Sequence, residues 1–253
     1  LGLLEIEGDS IKRIKANDGL AGRKVKDLAI GPDGRLLVGT SGGLSIAADD
    51  GQWETYEGNI AGGDVEALAY DETTDLIWVG NYDGLTRIEL DGENTTFTEA
   101  EGVEGAVRRI IPLGNGYVWV VTRAGVSEIA PGAHQAQLRD DLHTIAGEQI
   151  MAGAMVDDSE GWFLTQNNKL LHLRDGQLPR LYVWSDGRPV FIENSFADHF
   201  IARSTDGSLW FGASSVTSAI TADQVAAMED MSSINSDLVG GDGVDAFHFP
   251  RRA

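Results

Sequence analysis

Five histidines, forty carboxylates and no cysteine bound the chemistry open to this chain. Without a thiol there is no disulfide, no thiolate metal site and no cysteine nucleophile. The histidines stand at 134, 143, 172, 199 and 248, and none falls in an HxH or HExxH spacing, so no local stretch supplies a ready metal site. His199 and His248 fall near inner-strand positions, where a convergent metal or acid/base pair would be built; ordinary polar packing is the simpler expectation. The acidic clusters "DETTD" (71–75), "DDLH" (140–143), "DDSEG" (157–161) and "GGDGVD" (240–245) raise calcium, yet none has EF-hand spacing. In the first and third of these, Asp and Gly suit a tight turn, and solvated turns are expected there. Serine is abundant, but no G-x-S-x-G elbow is present. No cofactor is implied.

The remaining candidates take meaning from the elements that carry them. "LLVGTSGGLSI" (36–46) returns as "IWVGNYDGLTRI" (77–88), with Gly39 and Gly80 41 residues apart. "VWVVTRAGVSEI" follows after another 41, then "GWFLTQNNKLLHL" after 43 and "LWFGASSVTSAI" after 48. A second register, Gly2-Leu3, Gly43-Leu44, Gly84-Leu85 and Gly125-Val126, keeps the 41-residue step. A period of this size marks a repeat architecture.

The clearest unit holds four short strands. "VKDLAI" (25–30) and "RLLVGT" (35–40) flank the turn "GPDG", "LSIA" (44–47) follows "SGG", and "WETYE" (53–57) alternates as an edge strand does. Such a sheet cannot hide both faces alone, and repetition about an axis lets each sheet cover its neighbour. Helical solenoids need longer amphipathic segments, and a parallel β-helix would show about half the period. The expected fold is therefore all-β: one β-propeller domain over residues 1–253, built from four-stranded antiparallel blades. The strands "GLLEI" (2–6) and "SIKRIK" (10–15) match the third and fourth strands of a blade, and "VDAFHF" (244–249) matches an innermost strand. Six blades are expected, the last closed by strands from both termini, with seven as the alternative. The rhythm breaks around 185–198 and again at "TADQVAAMED" (221–230), where a capping-box pattern predicts a short helix.

A propeller's ligand face is formed by the entries to the inner strands and by the loops between second and third strands. The first set comprises Lys26, Glu66, Arg108, Arg109, His199 and Asp245. The second comprises Tyr82, Asp83, Arg123, Gln166, Asn167 and Asn168. Charges of both signs, an aromatic ring and amides suit a small polar ligand, such as a sugar or carboxylate, or a protein or peptide partner at the axis. Solvation of a channel mouth is the plainer alternative for each residue taken singly.

"PDGRLLVGTSGGLSI" and "TDLIWVGNYDGLTRI" resemble the two-component regulator propeller repeat, whose signature reads D-G-x-L-W-V-G-T-x-G-G-L. "GNGYVWVVTRAGVSEI" is looser, "TDGSLWFGASSVTSAI" keeps the first half, and "SEGWFLTQNNKLLHL" keeps mainly the tryptophan. "DGLAGRKV" (18–25) resembles the family's entry into the inner strand. The resemblance is strong to about residue 129 and weaker beyond. It implies an extracytoplasmic sensor module of a bacterial signalling protein, periplasmic or extracellular, that binds without catalytic residues of its own. The family's sensors carry more repeats in larger rings. A propeller hydrolase or lyase of lactonase type, with an axial metal or His/Glu site, is the alternative class. In structural terms, Trp78, Trp119, Trp162 and Trp210 would pack between blades, and the turn glycines would supply positive φ.

Net charge is −21, from 40 acidic and 19 basic residues. That surface repels nucleic acid and anionic membranes, so neither is an expected partner. Solubility of an exported protein explains the charge most simply; a salty habitat, which would screen it, is the alternative. No apolar run reaches the ~18 residues of a membrane span. The first residue is Leu1, and "LGLLEIEG" reads as a strand within the repeat, so an excerpt or processed form is expected.

Overall fold

A computed structural model of the chain describes residues 2–89, 93–167, 169–182, 200–213, 216–221, 223, 236–238 and 249–250. They form two compact units, Leu1–Pro112 with Gly116–Gln137, and Leu113–Asn115 with Leu138–Ala253. No helix among the described residues is long and apolar enough to cross a membrane.

The first unit opens with a hairpin, β1 (Leu3–Glu7) and β2 (Ser10–Ile14). Three four-stranded antiparallel meanders follow, each in simple sequential order. The first holds β3 (Val25–Ile30), β4 (Leu36–Thr40), β5 (Gly43–Ala47) and β6 (Trp53–Thr55). The second holds β7 (Ala67–Asp71), β8 (Leu76–Asn81), β9 (Gly84–Glu89) and β10 (Thr95–Phe97). The third holds β11 (Arg109–Pro112), β12 (Val118–Val121), β13 (Val126–Ile129) and β14 (Ala136–Leu138). Val25–Ile30 is the inner strand read from the sequence, and the outer strand stops at Thr55, shorter than the expected 53–57. β1 follows Gly2, whose φ of +143° matches the +124°, +140° and +140° of Gly43, Gly84 and Gly125 at the same repeat position. That conformation is closed to most side chains, and it gives β1 the same kind of entry as β5, β9 and β13.

The second unit starts with a helix the sequence reading lacks, α1 (Asp140–Ala146), in the cluster considered for calcium. Its N-cap, Arg139, pairs with Asp141, and Gly147 ends it in the left-handed region. Leu142 and Ala146, one turn apart, are its buried residues, so it carries too little periodicity to stand out. The fourth blade follows: β15 (Ile150–Asp157), β16 (Glu160–Thr165), β17 (Leu170–Arg174) and β18 (Arg180–Tyr182). The fifth has three described strands, β19 (Phe200–Arg203), β20 (Leu209–Ala213) and β21 (Val216–Ile220). A later strand, β22 (Ser236–Leu238), pairs antiparallel with β18 and extends the fourth blade to five. Apart from Phe249, the strand expected at 244–249 lies outside the described residues. So does the helix expected at 221–230, apart from Thr221 and Asp223.

Inside each unit, successive blades stack face to face. Ile77 and Val79 of β8 pack with Leu37 and Leu44 of the first blade. Trp78, between them in sequence, points the other way into Val107, Val118 and Val120 of the third. The period-two alternation therefore buries both faces of the second blade. Gly39 and Gly80, the repeat anchors, serve close approach: a Cβ on Gly39 would overlap Val65 Cγ1, and one on Gly80 would overlap Val107 Cγ1. Both valines are fully buried at the entry to the next blade.

Each buried tryptophan meets a different cross-strand neighbour. Trp119 faces Glu128 and donates its indole N–H to Oε2 at 2.9 Å. Trp78 faces Arg87, which cannot accept, and its indole nitrogen is buried with no partner among the described residues. Trp162 faces His172, and the two rings stack at 3.9 Å with 3° between planes. Trp210 departs from the expected packing: it faces Ala219 and is 49% exposed. The chain that follows this blade in sequence lies outside the described residues from 224 to 235.

His172 is buried, with Nε2 3.0 Å from Glu160 Oε1, and Arg174 Nε donates to the other carboxylate oxygen at 2.8 Å. Burial pulls its pKa down to about 4, against the upward pull of Glu160 and with help from Arg174 and Arg180. An unfolded imidazole takes a proton near 6.5, so the unfolded chain binds more protons between pH 6.5 and 4, and stability falls as pH drops through that window. His172→Gln is expected to lose about 2 kcal/mol less stability than the parent between pH 7 and pH 5. Urea unfolding at the two pH values checks this, and equal losses would refute it. Gly80→Ala is expected to cost about 1–3 kcal/mol through overpacking, part of it recovered in Gly80→Ala/Val107→Ala. Strictly additive losses in that cycle would show that the two positions do not share one space.

Candidate functional site

The inner strands β3, β7 and β11 lie side by side in the first unit, and their entries bring together Lys26, Glu66, Arg108 and Arg109 of the residues singled out in the sequence. Two polar rows fix these entries. Ser45, Thr86 and Ser127, each six residues past a repeat anchor, are buried on the third strands. Ser45 Oγ accepts from Ala21 N at 2.8 Å, Thr86 Oγ1 accepts from Ala61 N at 3.1 Å, and Ser127 Oγ donates to Gly102 O at 3.0 Å. Each hydroxyl thus pins the segment leading into its own blade's inner strand. Thr40, Asn81 and Thr122, one residue past the anchors, close the turns between second and third strands. Thr40 Oγ1 donates to Gly43 O at 2.8 Å, Asn81 Oδ1 accepts from Asp83 N at 2.8 Å, and Thr122 Oγ1 accepts from Ala124 N at 3.1 Å. These turns present Tyr82, Asp83 and Arg123, all exposed.

Charges then pair from blade to blade. Lys26 Nζ donates to Glu66 Oε1 at 2.6 Å, joining the first blade's inner strand to the entry of the second. That hydrogen bond raises the Lys26 pKa above its ordinary value, against the lowering effect of burial and with smaller help from the charge of Glu66, Tyr82 and Asp64. Asp27 Oδ2 accepts from Leu68 N of β7 at 2.9 Å and lies 4.0 Å from Arg109 Nη1 of β11, so one carboxylate ties three inner strands. Arg108 places its guanidinium 5.8 Å from the centre of the Tyr82 ring, within cation–π range. Lys26, Glu66, Tyr82, Arg108 and Arg109 therefore form one continuous polar patch. Asp83 stands at its edge over Gly62, and Arg123 lies on the next turn.

Asn167 belongs to the second unit, on the turn after β16, and is engaged locally. Its amide donates to Glu148, as does the Thr165 hydroxyl, and Lys169 Nζ lies 3.7 Å from the same carboxylate. Gln166 N donates to Gln149 O at 2.8 Å. His199, Asp245 and Asn168 lie outside the described residues, as does His248, the histidine coupled to His199 in the enzyme alternative. Asp71 and Asp157, in the acidic turns, hydrogen-bond to Thr73, Thr74 and Ser159 within those turns. Among the described residues no three His, Asp or Glu side chains converge to hold a metal ion.

Sequence reading passed over Asp27, Asp64 and Glu148. Asp27 carried a signal, as the one acid in "VKDLAI", next to Lys26. Glu148 carried another, standing 27 residues past the anchor Val121, as Val107 stands 27 past Gly80 and Val65 stands 26 past Gly39.

No family model and no curated protein matches the chain. Similar solved structures include the extracellular domain of a hybrid two-component system from B. thetaiotaomicron, at 12% identity and TM-score 0.57, covering 84% of this chain and 36% of that one. The extracellular domain of a one-component system from B. thetaiotaomicron is similar at 15% identity and TM-score 0.56, covering 78% and 27%. This chain thus spans roughly a third of the length of those domains or less. Virginiamycin B lyase from Staphylococcus aureus is similar at 15% identity and TM-score 0.52, covering 85% and 75%. At such identities the likeness is one of fold. Together with the repeated four-stranded sheets it makes the fold a β-propeller of antiparallel blades.

Glu148 is buried at the entry to the fourth blade and holds the β16–β17 turn through Thr165 and Asn167. Glu148→Ala is expected to cost about 2–3 kcal/mol, because it leaves buried donors unmatched, whereas Glu148→Gln retains part of the network. Hydrogen exchange at 165–170 locates the loss: faster exchange confined to that turn is expected, and an unchanged turn would contradict the assignment.

Proposed function

We propose that the protein is a noncatalytic binding propeller, the ligand- or partner-binding module of an extracytoplasmic bacterial sensor. The carrying observation is the patch on the entries of β3, β7 and β11, where cross-blade pairs hold charged groups in place beside an exposed ring. Lys26–Glu66 and Asp27–Arg109 are held between strands that are themselves fixed by packing, so the patch is preorganised. Tyr82, Asp83 and Arg123 are exposed at its rim on short turns, where a polar small molecule or a peptide would meet them. The fold likeness to extracellular domains of B. thetaiotaomicron signalling systems supports the periplasmic or extracellular setting. Among the described residues of the patch no base is paired with a nucleophile, and two of its cations are held by carboxylates, which suits recognition better than proton transfer.

The enzyme reading differs in needing an axial ion or acid/base pair. Melting of the whole chain with calcium, with zinc and with EDTA separates the two. A binding module without a resident ion is expected to keep its Tm within about 1 °C across the series. Occupancy of a native-state site at a hundred times its Kd adds about 2.7 kcal/mol, a shift of several degrees. A rise of that size with one ion, reversed by EDTA, would overturn the noncatalytic reading.

A further inference from the structure

Within the patch one charge is left over. Lys26 is matched by Glu66 and Arg109 by Asp27. Arg108, half-buried at the entry to β11, has no carboxylate partner among the described residues. Its side chain is not loose. The guanidinium is drawn over the Tyr82 ring, and Arg108 N donates to Val121 O at 2.8 Å, which fixes the base of the side chain. Tyr82 is 54% exposed and has no hydrogen bond to its hydroxyl among the described residues, so ring and guanidinium form an open, oriented pair.

We infer that Arg108, held over Tyr82, is the anchor for a ligand with a planar anionic head, a carboxylate above all. The inference rests on the binding role proposed above and adds the charge and shape of what is bound. A guanidinium offers two parallel N–H donors that match the two oxygens of a carboxylate, a geometry an ammonium cannot copy. The Tyr82 face beside it accepts a flat or apolar body attached to that head. The acidic surface repels anions at long range, so such a ligand is recognised only at contact, by this fork. Asp83, on the same turn as Tyr82, disfavours a second negative charge and limits the ligand to a single anionic group.

Ligand-observed NMR on the whole chain at pH 7.4 tests this with three isosteric probes: benzoate, benzamide and benzamidine. Saturable binding of benzoate is expected, with benzamide and benzamidine at least tenfold weaker. Arg108→Gln is expected to weaken benzoate about 10- to 100-fold, and Arg108→Lys to recover part of that loss, since it keeps the charge but not the fork. Tyr82→Ala is expected to weaken it less. Unchanged melting of the Lys variant guards against a folding artefact. Equal binding of all three probes, or benzoate affinity indifferent to Arg108→Gln, overturns the anionic class while leaving the binding role standing. Failure of all three to bind likewise overturns the carboxylate anchor, while the binding role stands or falls by the melting series above.

Discussion

Each new blade in the first unit begins by leaning on the one before it. The N–H of Val65 donates to Thr40 O, and that of Val107 to Asn81 O, both at 2.9 Å, while the valine side chains occupy the space above Gly39 and Gly80. A backbone bond and a close-packed contact at the same point hold adjacent inner strands at one separation. Everything polar nearby depends on that separation. Lys26 reaches Glu66, and Asp27 reaches the Leu68 amide, only because β3 and β7 lie within a side chain's length of each other. A glycine chosen for lack of bulk thus governs the placement of charges that it never touches.

The buried hydroxyls show how a sheet sandwich keeps irregular chain in order. The segments entering the inner strands have no ladder of their own, and a backbone N–H or C=O buried there needs a partner. Ser45, Thr86 and Ser127 supply one from the third strand of the same blade. Polar residues in an apolar strand are costly unless matched, and these are matched at the point where the entering segment passes. The same entry then carries the half-buried Glu66 or Arg108 a few residues later. Structure and candidate site are consecutive stretches of one segment.

Much of this was legible in the sequence because the repeat gives every residue an address. Period-two alternation and the "GPDG" and "SGG" turns place β3 to the residue, and counting from the anchors puts Lys26, Glu66, Tyr82 and Arg108 on one face. What addresses cannot supply is who meets whom. Asp27 serves two other strands, a role invisible in a list of strand residues. Asn167 looks like a free amide on a loop, yet Glu148, from an entry nineteen residues earlier, engages it. Helix α1 escaped for a simpler reason. Seven residues with one buried i, i+4 pair carry almost no pattern.

The changing company of the buried tryptophans has a consequence for folding. Neighbouring blades so alike in strand length and turn chemistry are prone to exchange hairpins, a characteristic failure of repeat chains. Here each indole has a distinctive mate: Arg87 beside Trp78, Glu128 beside Trp119, His172 beside Trp162. A strand that docked one blade too early would bring its tryptophan against the wrong chemistry, a cation where an acceptor is needed or a ring where there was a charge. The three mates act as a code that tells otherwise similar blades apart, so the order of assembly is written in the least repetitive residues of the repeat.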